Sequence, residues 1–409
     1  MIELSKGVSK KGIIQDLILN IAASFLLTAI LQLIIFPGLS NKLSVSSFGT
    51  LLTLNGLSNA FGVMFGASLN NIQLLNQHND KGNYRILLNY TYIIILSISI
   101  VVSIMFTRDM NIIDGILFLS IPILTMLRSY MNVYYRIKIN YKYIFIHTVV
   151  TGIGYITGLL IFRLIELWTV VFIIGELFAF TFAYRTTDFK REKCIRTDEY
   201  IDIRNQYTQL VIANSVANLL TYLDRLIINP ILGAGNVAVY FIASMIGKTV
   251  GIVLQPISSI MLTYLSKIKT INEKKLFIAI VSIIIVFGGG VFLITIPTTP
   301  ILVKLLYIDS FELAKPYFNL ANLASILMIM GSLIQALVLR YCPIWWQSII
   351  QIAYAIVYLG LGIIIMINYG LYGFCLVAIL ANLLRVILLI SVGYYYIFKG
   401  NEEKFPIAS

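Results

Sequence analysis

The sequence predicts an all-α integral membrane protein of twelve transmembrane helices, arranged as two six-helix bundles related by a parallel internal repeat. Three observations carry that expectation. The 409 residues are 59% hydrophobic and 12% charged, about half the charge of an ordinary soluble domain. The apolar residues gather in runs close to the ~20 that a helix needs to cross ~30 Å of hydrocarbon. The basic residues are unevenly shared between alternate connecting segments, as membrane topology requires.

The first run, at 13–36, follows Lys6, Lys10 and Lys11. It is longer than the apolar part of a secretory signal and no small-residue cleavage site follows, so it reads as a retained helix. Runs at 47–72, 85–106, 112–135, 141–162 and 166–185 complete an N-terminal lobe, residues 1–185. The longest polar stretch, at the middle of the chain, gives a linker over 186–206. Runs at 207–229, 237–265, 275–297, 316–339, 345–367 and 371–397 make a C-terminal lobe over 207–398, and 399–409 form a tail. With both ends placed in the cytoplasm, the inside segments hold 21 Lys and Arg. The outside ones hold five: Lys42, Arg108, Arg163, Lys304 and Lys315. The net charge of +12 is thereby explained by the positive-inside rule, and no nucleic-acid partner is implied.

The repeat is visible when Leu17–Leu39 is laid over Leu210–Leu232 without a gap: nine of 23 positions coincide, among them Pro37 with Pro230 and the shared Leu-Leu-Thr. Both halves begin on the same side, so the repeat axis runs along the membrane normal, and a solute would sit between the lobes.

Several runs carry polar seams. Asp16, Asn20, Ser24, Thr28 and Gln32 recur every fourth residue in the first, and Asn214, Asn218, Thr221 and Arg225 follow in the seventh. The eighth adds Ser244, Lys248, Gln255 and Ser259, and the second Asn55 and Asn59. Residues four apart stack along one helix face. One such residue is ordinary helix–helix glue; aligned seams at the start of both halves point to a hydrated cavity. Ionisable groups in a membrane are costly and usually paired or cavity-lining. Arg128, Arg225, Lys248 and Arg385, set against Asp224 and Glu176, leave an excess of two positive charges, which suits an anionic solute. Asp224 and Arg225 are neighbours and point about 100° apart on a helix, so they do not simply face each other.

Other patterns carry little. The glycine-rich Gly152–Gly158 lies inside a predicted helix with no strand before it, and Gly288, Gly289 and Gly290 read as a hinge or a packing notch. Cys194, Cys342 and Cys375 have no metal or disulfide spacing. With His78 and His147 as the two histidines, no catalytic constellation and no cofactor emerge, so the chain does not read as an enzyme.

Tyr222–Met261, with its Asp-Arg pair, short Gly-containing loop, Tyr240 and Pro256, resembles the opening of the second lobe in polysaccharide-biosynthesis flippases of the multidrug/oligosaccharidyl-lipid/polysaccharide (MOP) exporter superfamily. Ser47–Leu52 is similar to the matching start of the second helix, and Val133–His147 to the basic, aromatic junction between helices 4 and 5. Relatives that export lipid-linked peptidoglycan precursors usually have fourteen helices, two more than are read here. The resemblance implies a V-shaped alternating-access transporter in a bacterial cytoplasmic (inner) membrane. Such a protein flips undecaprenyl-pyrophosphate-linked O-antigen, capsule or similar repeat units. Arg225, Lys248, Arg128 and Arg385 would then attract the pyrophosphate, and Asn20, Asn59, Asn214, Asn218 and Gln255 would contact sugar hydroxyls. Asp16, Asp224 or Glu176 would bind a coupling H+ or Na+. Membrane lipids, a polysaccharide polymerase and a chain-length regulator are the other partners implied. The alternatives are a multidrug exporter of the same superfamily, which should have an acidic cavity, a polytopic enzyme of polysaccharide assembly, and a structural membrane scaffold.

Overall fold

The computed structural model describes residues 10–76, 82–106, 110–192, 194–251, 254 and 273–398. Among these, every regular element is helical. Eight helical stretches are long and apolar enough to cross a membrane. Helices satisfy their own backbone polar groups, which is what a segment surrounded by hydrocarbon requires. The chain divides into two compact units, Met1–Asn229 and Pro230–Ser409.

In the first unit, α1 (Lys10–Ile30) passes into a π-helical turn, Leu31–Ile35, and a last α-turn, Phe36–Ser40. Pro37 lacks an N–H, so a carbonyl one turn earlier loses its partner and the helix widens there. The Ser44 hydroxyl accepts the Ser47 N–H and starts α2 (Val45–Leu75). Next come α3 (Gly82–Met105), α4 (Ile112–Ile137), α5 (Tyr141–Ile165) and α6 (Trp168–Thr186). α2 packs along α4, α5 along α6, and α1 along α5. Asp114 is buried and bonds the N-terminus of α6, accepting from the Thr169 N–H (3.2 Å) and hydroxyl (2.6 Å); a carboxylate there also suits the helix dipole. After a short 3-10 turn, Phe189–Arg191, α7 (Tyr200–Thr221) packs on α2, and a break at Tyr222 leads into α8 (Leu223–Leu232). Residues 207–229, assigned from sequence to the C-terminal lobe, thus lie within the first unit, held by contacts of α7 with α2 and α3.

The second unit opens with α9 (Ala234–Ala243), a turn at Ser244 and helical residues 245–251. Then follow α10 (Glu273–Leu306), α11 (Phe318–Tyr341), α12 (Ile344–Ile356), a second π-helical turn, Val357–Leu361, and α13 (Gly362–Phe398). Trp345–Phe398 is a 54-residue apolar stretch, about 80 Å if straight and far longer than one crossing. It is parted at Gly370, whose φ of 61° and ψ of −148° are not helical. The core is the seam where α11 meets α10 and α13, with Phe277, Ile334, Leu337 and Leu389 buried together.

Candidate functional site

Two of the charges picked from the sequence prove to be partners. The Arg128 guanidinium on α4 donates through Nε to both carboxylate oxygens of Glu176 on α6, at 3.0 and 2.8 Å. The Tyr155 hydroxyl on α5 donates to the same carboxylate at 2.7 Å. Glu176 is 2% exposed, so this three-helix cluster closes on itself. Gly175 makes it possible: a Cβ there would collide with the Tyr155 ring. The Arg128 charge is therefore spent inside the first unit, as is that of Glu176.

The Asp-Arg pair is resolved differently. Asp224 is buried at the start of α8, where its carboxylate accepts the Arg225 backbone N–H (2.8 Å), a favourable place for negative charge. The Arg225 side chain leaves α8 and reaches α2, donating through Nη1 to the Leu52 carbonyl at 2.7 Å, with the Tyr222 ring 5.4 Å from its guanidinium carbon. Gly56, one turn after Leu52, leaves room, since a Cβ there would stand 2.9 Å from Nη1. Asp224 and Arg225 thus face different neighbours, as their helical spacing demands.

Of the predicted polar seam, Asn214 donates to the Ser68 hydroxyl on α2 (2.9 Å), and Asn59 to the Asn55 carbonyl of its own helix (2.9 Å). On α1 the Ser24 and Thr28 hydroxyls bond carbonyls of their own helix, Asn20 is exposed, Asp16 half-buried and Gln32 buried. The side chain of Asn218, and all of Gln255 and Ser259, lie outside the described residues.

In the second unit, Lys248 holds its ammonium 4.8 Å from the centre of the Tyr240 ring. Arg385 on α13 is 7% exposed; its Nη2 donates to Gln335 Oε1 on α11 (2.5 Å), and its guanidinium carbon stands 5.5 Å from the Tyr354 ring of α12. No Asp or Glu accompanies these two cations within a membrane run. The unit's acidic residues are Glu273, Asp309 and Glu312, at helix ends or in connections, and Glu402 and Glu403, which lie outside the described residues. Asp16, Asp114, Glu176 and Asp224, carboxylates of the runs read from the sequence, all belong to the first unit.

Sequence reasoning missed three kinds of residue. Asp114 was left out of the charge count; with Asp16 it cancels the expected positive excess over the whole membrane interior, so the excess belongs to the second unit alone. Asn322, 1% exposed, stitches the break after α9: its Oδ1 accepts the Gly247 N–H (2.8 Å), and its amide donates to the carbonyls of Ala243 (2.9 Å) and Phe318 (2.8 Å). Gln335 and Gln351 gather around Arg385. Lone amides in apolar runs were the available signal, and they read as ordinary helix glue. Among the described residues no cluster of His, Cys, Asp and Glu could hold a metal ion.

No protein-family model matches the chain, and no curated protein matches it. Solved structures do. An outward-facing multidrug resistance MATE family transporter of the MOP superfamily matches with a TM-score of 0.62 at 13% identity, over 96% of this chain and 99% of the other. The lipid II flippase MurJ, in an inward closed conformation, gives 0.62 at 14% identity over 93% and 86%. A MOP superfamily transporter from Pyrococcus furiosus Vc1 (DSM3638), described by a reverse polarity of its binding pocket that suggests a different function, gives 0.59 at 12% identity over 96% and 99%.

The apolar helical stretches therefore define a multi-pass membrane protein. Its fold is similar to that of these solved structures, two described as MOP superfamily transporters and one as a lipid II flippase.

Proposed function

We propose that the chain is a flippase that carries an undecaprenyl-pyrophosphate-linked oligosaccharide across a bacterial cytoplasmic membrane for surface-polysaccharide assembly. It would work by alternating access of two six-helix halves, with both termini in the cytoplasm. The observation that carries this reading is the acid-free second unit, where Lys248 and Arg385 lie in membrane runs that contain no carboxylate. A cationic interior favours an anionic solute and repels a cationic one. The likeness to MurJ, a lipid II flippase, supports a lipid-linked solute. Lys248 and Arg225 are the proposed contacts for the pyrophosphate, with Asn20, Asn59, Asn214, Asn218 and Gln255 for the sugars. Arg128, held by Glu176, is the weakest of the proposed cations. A coupling proton or sodium ion would use a carboxylate of the first unit. A polymerase and a chain-length regulator are the proposed partners.

Export of an amphipathic drug is the second reading, favoured by the MATE likeness. One experiment separates the two. Protein reconstituted in vesicles is given a fluorescent polyprenyl-pyrophosphate oligosaccharide or a cationic dye, and accessibility at the outer face is followed by quenching. The expected result is translocation of the pyrophosphate lipid, reduced at least about tenfold by Lys248→Ala, as loss of one charged contact implies. Movement of the dye alone, or an undiminished rate in the variant at equal protein level, would overturn the reading.

A further inference from the structure

The surroundings of Arg385 are those of a cation awaiting a counter-ion. The side chain runs from α13 across α11 and passes Gly331, where a Cβ would stand in ordinary contact, 3.6 Å from Arg385 Cδ and Nε. Its guanidinium has five N–H donors, and among the described residues it makes one hydrogen bond, Nη2 to Gln335 Oε1. That acceptor is shared, since Gln351 Nε2 on α12 also donates to it at 3.2 Å. Arg385 Nε is buried and has no hydrogen-bond acceptor among the described residues. Tyr354 presents its ring to the guanidinium. A ring face eases a buried cation without cancelling its charge.

The sequence excludes the usual remedy. From Leu313 to Asn401 the chain has no Asp or Glu, and from Pro230 to Asn272 it has none either, so no carboxylate of these helices can reach the guanidinium. Arginine does not escape by losing its proton. A charge held in this way, away from water and unpaired, is strongly unfavourable.

We infer that the second unit binds a small inorganic anion, of the size of chloride or bromide, between α11, α12 and α13, with Arg385 as its cationic ligand and the Gln335 and Gln351 amides beside it. The enclosure sets the size: at 7% exposure Arg385 has no opening for a pyrophosphate bearing a glycan. A small cavity on the same three helices, lined by Gln335, Gln347, Ile350 and Leu389, shares Gln335 with the cluster and does not include Arg385. The inference stands apart from the proposed substrate, because it concerns an ion held inside one unit and needs no transport.

The test uses the full-length protein purified in detergent in sodium gluconate. Chloride or bromide is added at constant ionic strength while thermal unfolding is followed. Binding to the folded state raises the midpoint in a saturable way, by about 2–4 °C at tenfold excess over the dissociation constant. Arg385→Gln, which keeps the polar shape and removes the charge, is expected to abolish the response. Line broadening of the 35Cl resonance by the wild-type protein, reversed by bromide, gives the same reading without a variant. A wild type indifferent to halide in both measurements would overturn the inference, and so would a response that Arg385→Gln retains. A midpoint raised by phosphatidylglycerol and not by halide would assign the guanidinium to a lipid head group and equally overturn it.

Discussion

Single residues decide which charges are available, and the clearest case outside the membrane is Glu192. It follows the turn Phe189–Arg191, yet its carboxylate is drawn inward to accept from Gln73 Nε2 (3.0 Å) on α2 and the Tyr130 hydroxyl (3.0 Å) on α4. Phe189 stacks edge-on against Tyr130 and Tyr134, with the Arg85 guanidinium 4.5 Å above it. Burial raises the Glu192 pKa above its ordinary 4.5, against the nearby Tyr134 hydroxyl, the hydrogen bonds from Tyr130 and Gln73 and the Arg85 charge, which lower it. Since the folded state then holds the proton more tightly than the unfolded one, this contribution to stability is full below pH 4.5 and is lost as the pH rises through the raised value. The linker should accordingly be cut faster by protease at pH 8 than at pH 5. Glu192→Gln should flatten that dependence, which a digestion time course at the two pH values checks. Residues of this kind were the least legible from sequence. Arg128 and Glu176 were both singled out, but 48 positions separate them and nothing in the chain announces that they meet.

At the scale of elements, helical character and membrane length were legible because apolar runs and helix geometry are local properties. The interruptions were legible only in part. The runs that stop before Pro37 and Pro230 end within a few residues of the helix ends at Ser40 and Leu232, whereas the turn at Ser244 falls in a segment read as one unbroken run, 237–265. The chain tolerates that turn because Asn322, from α11, supplies the hydrogen bonds that the interrupted helix lacks. Asn322→Leu should leave the Gly247 N–H and the Ala243 carbonyl without this partner in a buried place. The expected cost is about 2–4 kcal/mol, seen as a lower unfolding midpoint in detergent. Conservative replacement by Asp should recover only part of it, because an Asp oxygen cannot donate to the carbonyls.

For the whole molecule, the separation of charge between the units matters more than the net charge that first attracts notice. The repeat argument made the two halves look alike, yet the carboxylates of the sequence-predicted runs lie in the first unit, and Lys248 and Arg385 of the second lie in runs without one. Any transported or driving cation that needs a carboxylate must therefore find it in the first unit. If the chain uses a proton or sodium gradient, Asp16→Asn should reduce gradient-driven uptake in vesicles by about tenfold or more. Unaltered gradient dependence in that variant would exclude Asp16 as the carrier, and the same assay on Asp224→Asn would examine the other candidate that Glu176 and Arg128 do not already occupy. This asymmetry was present in the sequence, but it became visible only once the unit boundary was placed at Asn229.

The break at Gly370 has a consequence of its own. A Cβ at that residue would meet no atom within 4 Å, so bulk is not what keeps side chains out. Its dihedrals of 61° and −148° are the mirror image of an extended conformation that every L-residue adopts with ease. The position therefore discriminates by handedness of the backbone and not by volume: an L-alanine methyl would have room there and would still be strained, at the bend that parts this 54-residue apolar stretch.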